Sequence, residues 1–164
     1  MDDPAPEPSV DGAHVDGGRA LAVDLGDRRI GIAVSDSRRV LANPTTVITR
    51  SGDTARDHRA IAAIVEEYGA TVVVVGLPLS LSGRPGPAAV KVTAETEALR
   101  AALPVPVLLH DERLSTVEAT RRLREASTGA TRRPAVKRRA VVDDLAAAVI
   151  LQSWIDAGAP TGPA

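Results

Sequence analysis

Ala20-Leu-Ala-Val-Asp-Leu-Gly-Asp-Arg-Arg-Ile-Gly-Ile-Ala-Val-Ser35 holds two short apolar runs, Ala20 to Leu25 and Ile30 to Ser35, joined by Gly26-Asp27-Arg28-Arg29. Two such runs around a short polar, glycine-containing link read as a β-hairpin. In the first run, period two sets Leu21, Val23 and Leu25 on one face and Ala20, Ala22, Asp24 and Gly26 on the other. Asp24 therefore stands among small residues on a strand too apolar to face water. A carboxylate in that position costs several kcal/mol unless it is paired or bound to a cation. Small neighbours leave space for a ligand beside it. The alternative is an internal ion pair with an arginine such as Arg29.

Working outward, Thr45 to Thr49 reads as a third strand, which makes an antiparallel start to the chain. Thr54 to Tyr68 places Ile61, Ile64, Val65 and Tyr68 on one helical face and stops at Gly69. Thr71 to Leu77 is a β-branched run suited to a strand buried on both faces. A helical pattern over Gly86 to Ala102 follows, and a strand over Val105 to His110. Ser115-Thr-Val-Glu118 is a capping box that opens a helix to about Ala126, and Val141 to Ala157 is a last helix, apolar nearly all round. The order βββαβαβαα predicts an α/β fold. Three antiparallel strands followed by α/β crossovers make a mixed five-stranded sheet flanked by helices on both faces.

The 164 residues suffice for one domain, and the absence of cysteine excludes disulfide scaffolds, thiolate zinc sites and cysteine nucleophiles. Residues 1–18 carry five acidic and no basic residues and read as a disordered acidic tail. Residues 19–157 form the domain, and 158–164 form a second tail. The longest apolar stretches, Val72 to Leu79 and Leu145 to Leu151, are too short to span a bilayer, so a soluble cytoplasmic protein is expected.

A formal charge of −1 hides an asymmetry. Between positions 121 and 139, Arg121, Arg122, Arg124, Arg132, Arg133, Lys137, Arg138 and Arg139 face only Glu125, a net +7. Such a stretch suits a polyanion; the bland alternative is a solvated, arginine-rich loop. Tyr68 and Trp154 are the only aromatic residues, which excludes an aromatic stacking platform, so any nucleic acid is held through its phosphates.

Two more carboxylate signals accompany Asp24. Asp111-Glu112 ends a strand, where α/β sheets commonly place functional groups, and Asp143-Asp144 opens the last helix, where acids also suit the helix dipole. Three carboxylates from separate elements at one sheet end are what Mg²⁺ or Mn²⁺ requires. With phosphate-holding arginines nearby, the set suits metal-assisted phosphodiester hydrolysis. His110 at the site's border reads as a packed, hydrogen-bonded histidine, His58 as a surface residue, and Ser80 and Ser82 lack any context for a serine nucleophile.

Four segments in this order resemble the YqgF/RuvX family of pre-16S rRNA nucleases, also called Holliday junction resolvases: Asp24-Leu-Gly-Asp-Arg-Arg-Ile-Gly31, Gly76-Leu-Pro-Leu79 with Gly83, His110-Asp-Glu-Arg-Leu-Ser-Thr116 and Val142-Asp-Asp-Leu-Ala-Ala-Ala-Val-Ile-Leu151. They cover roughly Arg19 to Ala157. The resemblance implies an RNase H-like fold, a cytoplasmic role in trimming the 5′ end of the small-subunit ribosomal RNA precursor, and a divalent-metal site. Carried over by motif, Asp24, Glu112 and Asp143 are the catalytic and metal-holding acids, with Asp144 at the neighbouring position. Arg113 contacts phosphate or a ligating carboxylate. Substrate contacts are expected from Arg29, Arg113, Arg121, Arg124, Arg132, Arg133, Lys137, Arg138 and Arg139. Asp27 departs from the pattern, since similar sequences often carry Thr or Ser there.

Pre-16S rRNA is thus the expected nucleic-acid partner, with branched DNA the alternative substrate and pre-ribosomal particles as the setting. Two competing functions remain. The Asp24 hairpin also looks like the phosphate-binding hairpin of the actin and hexokinase superfamily, although that cleft takes two such domains and this chain supplies one. A noncatalytic RNA-binding assembly factor would use the basic stretch alone.

Overall fold

The computed structural model describes residues 18–80, 82–114, 123 and 145–158. The two expected tails, apart from Gly18 and Gly158, and most of the segment between the fifth strand and the last helix lie outside the described residues. That segment holds Asp143, Asp144 and the whole basic stretch except Leu123.

Five strands form one sheet: β1 (Arg19–Leu25), β2 (Arg29–Ser35), β3 (Ala42–Thr49), β4 (Ala70–Leu77) and β5 (Val107–Asp111), in the order β3-β2-β1-β4-β5. The pairs β1·β2 and β2·β3 are antiparallel, while β1·β4 and β4·β5 are parallel. The expected hairpin closes as read, with Leu25 opposite Ile30 and Asp24 opposite Gly31. Three helices are described: α1 (Thr54–Tyr68), α2 (Pro87–Ala102) and α3 (Leu145–Asp156), with a single 3-10 turn over Glu112–Leu114 after β5.

Local chemistry explains the boundaries. Asp53 caps α1 by accepting from the amides of Ala55 and Arg56, and Gly69 ends it in the left-handed conformation. Pro87 opens α2 at a position that needs no amide donor. The third strand starts at Ala42, three residues before the sequence expectation. Pro44 hides the start in sequence, yet β3 is an edge strand, where a missing amide is tolerated, and the register shifts between Ile32 and Ala33 beside it.

The two faces of β1 decide the layering. Leu21, Val23 and Leu25 join Ile30, Ile32, Val73 and Val75 against Ile61, Val65, Val92 and Leu99 of α1 and α2. On the opposite face, Ala20, Ala22, Val72 and Val74 meet Ala147, Ile150, Leu151 and Trp154 of α3. Alanines on that side let α3 come close; a Cβ at Gly31 would sit 3.5 Å from that of Ala147. Val72, Val73, Val74 and Val75 are all fully buried, each worth about 1.5 to 3 kcal/mol relative to exposure. Among the described residues, no helix is long and apolar enough to cross a membrane.

One expectation fails. His58 is buried, at 4% exposure, because Glu95 of α2 reaches across and lies 3.1 Å from its Nε2. An isolated helical pattern cannot show that a second helix packs on its polar side.

Candidate active site

Parallel strands deliver side chains to one end of the sheet, and Asp24 stands near the end of β1 on the α3 face. Its neighbour across the parallel pairing is the end of β4, since Val23 lies beside Val75 and the next position on β4 is Gly76. Gly76 in turn pairs with His110 of β5, and Glu112 follows two residues later. A Cβ at Gly76 would stand 2.7 Å from Glu112 Oε1 and would also collide with Ile150 of α3. Only glycine leaves that space to the Glu112 carboxylate.

Both carboxylates are half-buried. Burial alone pushes the Asp24 carboxyl above its ordinary value. Burial does the same to Glu112, and the neighbouring charges of Asp24 and Asp111 add to it. Among the described residues, no hydrogen bond or ion pair reaches either one, so the internal pair of Asp24 with Arg29 considered from sequence is not formed. Two desolvated anions side by side, with Asp24 raising the pKa of Glu112, are unfavourable by themselves and favourable around a cation. All-oxygen donors of this kind fit a hard divalent ion. Among the described residues, no third carboxylate or imidazole joins them. The expected third acid, Asp143, and its neighbour Asp144 lie outside the described residues, directly ahead of α3 in sequence.

The surrounding groups are otherwise engaged. Asp111 accepts from the Arg113 amide at 2.9 Å and from its guanidinium at 2.6 to 3.1 Å, and this contact holds the Asp111 carboxyl below its ordinary value. Asp111 thus has a counter-charge in Arg113, whereas its neighbour Glu112 has none among the described residues. His110 is buried, its Nε2 is 2.9 Å from Ser153 Oγ, and desolvation lowers its pKa, so it is a neutral packing histidine, as expected. Asp27 is exposed in the hairpin turn and accepts from Lys91 of α2 at 3.0 Å. The two carboxylates open into a cleft of about 270 Å³ between the hairpin turn and α2, bordered by Pro78, Lys91 and Glu95.

The family model described as "RuvX: Holliday junction resolvase" matches residues 18–157. The chain belongs to the RuvX family. A relative from a Nocardioides species is 50% identical over 151 residues, covering 90% of this chain and 93% of its own; one from Rhodococcus erythropolis is 47% identical over 143 residues, covering 85% and 78%. Both carry the name "Putative pre-16S rRNA nuclease". Among solved structures, Thermus thermophilus RuvC in complex with a Holliday junction substrate superposes with a TM-score of 0.54 at 16% identity, covering 86% of this chain and 96% of that one. That likeness shows the RNase H-like fold expected from the sequence. As a RuvX member the chain is a nuclease, a hydrolase of phosphodiester bonds.

Within this RuvX domain the structure brings together Asp24 and Glu112, distant in sequence, and sets Arg113 beside them on Asp111. Arg29 is exposed in the hairpin. The other expected substrate residues, Arg121, Arg124, Arg132, Arg133, Lys137, Arg138 and Arg139, lie outside the described residues. Sequence reading missed the polar cluster at the cleft wall, where Arg50, Asp57, His58 and Glu95 meet. Its only signal is Arg50 following the apolar end of β3.

Proposed function

We propose that this chain is a divalent-metal-dependent endonuclease of the cytoplasm that trims the 5′ end of pre-16S rRNA, acting on naked precursor or on pre-ribosomal particles. The reading is carried by one observation: Asp24 and Glu112 are half-buried carboxylates without donor or counter-charge among the described residues, side by side at the ends of parallel strands. Asp24, Glu112 and Asp143 would hold Mg²⁺ or Mn²⁺. Bound there, the ion would supply Lewis-acid polarisation of the phosphodiester and neutralise its charge. The end of β1 orients the Asp24 carboxylate, the 3-10 turn after β5 orients that of Glu112, Gly76 keeps the approach to Glu112 open, and Arg113 pairs with the neighbouring Asp111. Substrate is gripped through phosphates by Arg29, Arg113 and the basic stretch, with Arg121, Arg124, Arg132, Arg133, Lys137, Arg138 and Arg139 as contacts. Phosphate contacts carry no base information, so the RNA is chosen by shape or by the particle that presents it.

The family description favours a second substrate, the four-way DNA junction. The test is side-by-side cleavage of precursor transcript and four-way junction in Mg²⁺ and in Mn²⁺, by the wild type and Glu112→Gln. Metal-dependent cleavage of the transcript, abolished in the variant at unchanged fold, is expected. Preference for the junction selects the second reading. Cleavage of neither, with tight RNA binding, means a noncatalytic assembly factor.

A further inference from the structure

In the wall of the cleft, one side chain ties four elements together. Arg50, at the end of β3, donates its Nε to the Gly26 carbonyl at 3.0 Å. Its two terminal nitrogens grip Glu95 of α2 at 2.7 and 2.9 Å, and Nη1 lies 3.8 Å from Asp57 of α1. The Arg50 backbone amide donates to the Arg28 carbonyl at 2.9 Å. His58 Nε2 shares the same Glu95 Oε1 with Arg50 Nη1, at 3.1 Å. The Arg50 and Glu95 side chains retain only 18% and 17% of their exposure, so solvent screens the pair far less than a surface ion pair.

The Gly26 carbonyl is the informative partner. Gly26 is two residues from Asp24, and its own amide donates to the Asp24 carbonyl at 3.1 Å. A Cβ at Gly26 would stand 2.6 Å from the Arg29 carbonyl oxygen, so the turn is tight and its backbone admits little adjustment. Arg50 thus holds Gly26, and Gly26 holds the backbone of Asp24. The other end of the same guanidinium is anchored in α2, the opposite wall of the cleft. We propose that Arg50 is a positioning residue for the nuclease site: by clamping Gly26 to Glu95 it fixes where Asp24 presents its carboxylate.

This inference rests on the reading of Asp24 as a holder of a divalent cation. Groups that orient ligating carboxylates contribute to metal affinity without touching the metal. Planar guanidinium geometry is what the clamp uses, since three nitrogens serve two acceptors at once; an ammonium keeps the charge and loses that fork. Arg50→Lys therefore separates charge from geometry.

The experiment uses the full chain as wild type, Arg50→Lys, Glu95→Gln and Asp24→Asn. Mn²⁺ affinity is measured by calorimetry, and backbone amide exchange is measured without metal. In Arg50→Lys, the amides of Gly26 to Arg29 should exchange faster while those of β4 keep their protection. Mn²⁺ affinity should fall on the order of tenfold, with KM for nucleic acid unchanged and kcat at limiting Mn²⁺ reduced. Glu95→Gln should shift both readouts the same way by less, and it decides the matter if Arg50→Lys does not fold. A lower melting temperature with wild-type Mn²⁺ affinity in both variants overturns the proposal and makes the clamp purely structural. Wild type and Asp24→Asn that bind Mn²⁺ alike would instead overturn the metal reading, and the proposal with it; faster turn exchange in Arg50→Lys would still report the clamp itself.

Discussion

Replacing Asp24 by Asn sets two effects of one charge against each other. Without metal, the wild-type carboxylate is half-buried and has no partner among the described residues; leaving a buried polar group unsatisfied costs about 1 to 3 kcal/mol, more when it is charged. Asn keeps the volume and removes the charge, so recovery of about 1 kcal/mol is expected, a rise of about 2 to 4 °C in Tm for a chain of this size. With Mn²⁺ at 100 times its Kd, the wild type instead gains about 2.7 kcal/mol, and the variant gains little. The stability ranking therefore inverts on adding metal. Acidity gives a second axis. Because burial raises the folded-state pKa of Asp24, the folded chain takes up a proton at higher pH than the unfolded chain. The charge penalty is complete above that raised value and vanishes as pH falls through it toward the ordinary aspartate value. The metal-free gap between Asp24→Asn and wild type should thus be widest at neutral pH and close on acidification. Differential scanning calorimetry across pH, with and without Mn²⁺, measures all of this. A variant less stable than wild type without metal, or equally stabilised by Mn²⁺, would refute the reasoning.

Gly76→Ala should lose about 1 to 3 kcal/mol by overpacking against Ile150, and Mn²⁺ titration should show weaker binding because the added methyl displaces the Glu112 carboxylate. Replacing Arg132, Arg133, Arg138 and Arg139 together by Gln should weaken RNA binding at low salt and flatten the slope of log affinity against log salt by roughly 0.7 per lost single-strand contact, read by fluorescence anisotropy, with cleavage at saturating substrate little changed.

The sheet was legible because its strands announce themselves locally. Leu21, Val23 and Leu25 alternate with Ala20, Ala22 and Asp24 in sequence and do so in space, and the run of valines in β4 needs no partner to read as a doubly covered strand. Asp24 was legible for the same reason, as a charge out of keeping with its strand. What escaped reading depends on pairs far apart in the chain. The bond from Arg50 to Glu95 joins residues 45 positions apart, and neither is unusual in its own segment. His58 looked like surface because the side of α1 that carries it meets α2, and only the assembled fold says which polar face is covered. The pairing of Asp111 with Arg113, by contrast, is local, but two adjacent acids give no sign of which one the arginine will take.

The strand order β3-β2-β1-β4-β5 has a consequence for how the chain is made. The first three strands are joined by short links and can zip together as soon as they leave the ribosome. Their product is an antiparallel meander whose outer strand is β1, apolar on both faces, with its free edge waiting for residues 70–77. Until β4 arrives and α1 folds across, that edge is a template for any other extended chain, and an unpaired apolar edge is the usual seed of aggregation. Slow translation through residues 50–80 would therefore prolong the exposure of that edge, on the very strand that carries Asp24.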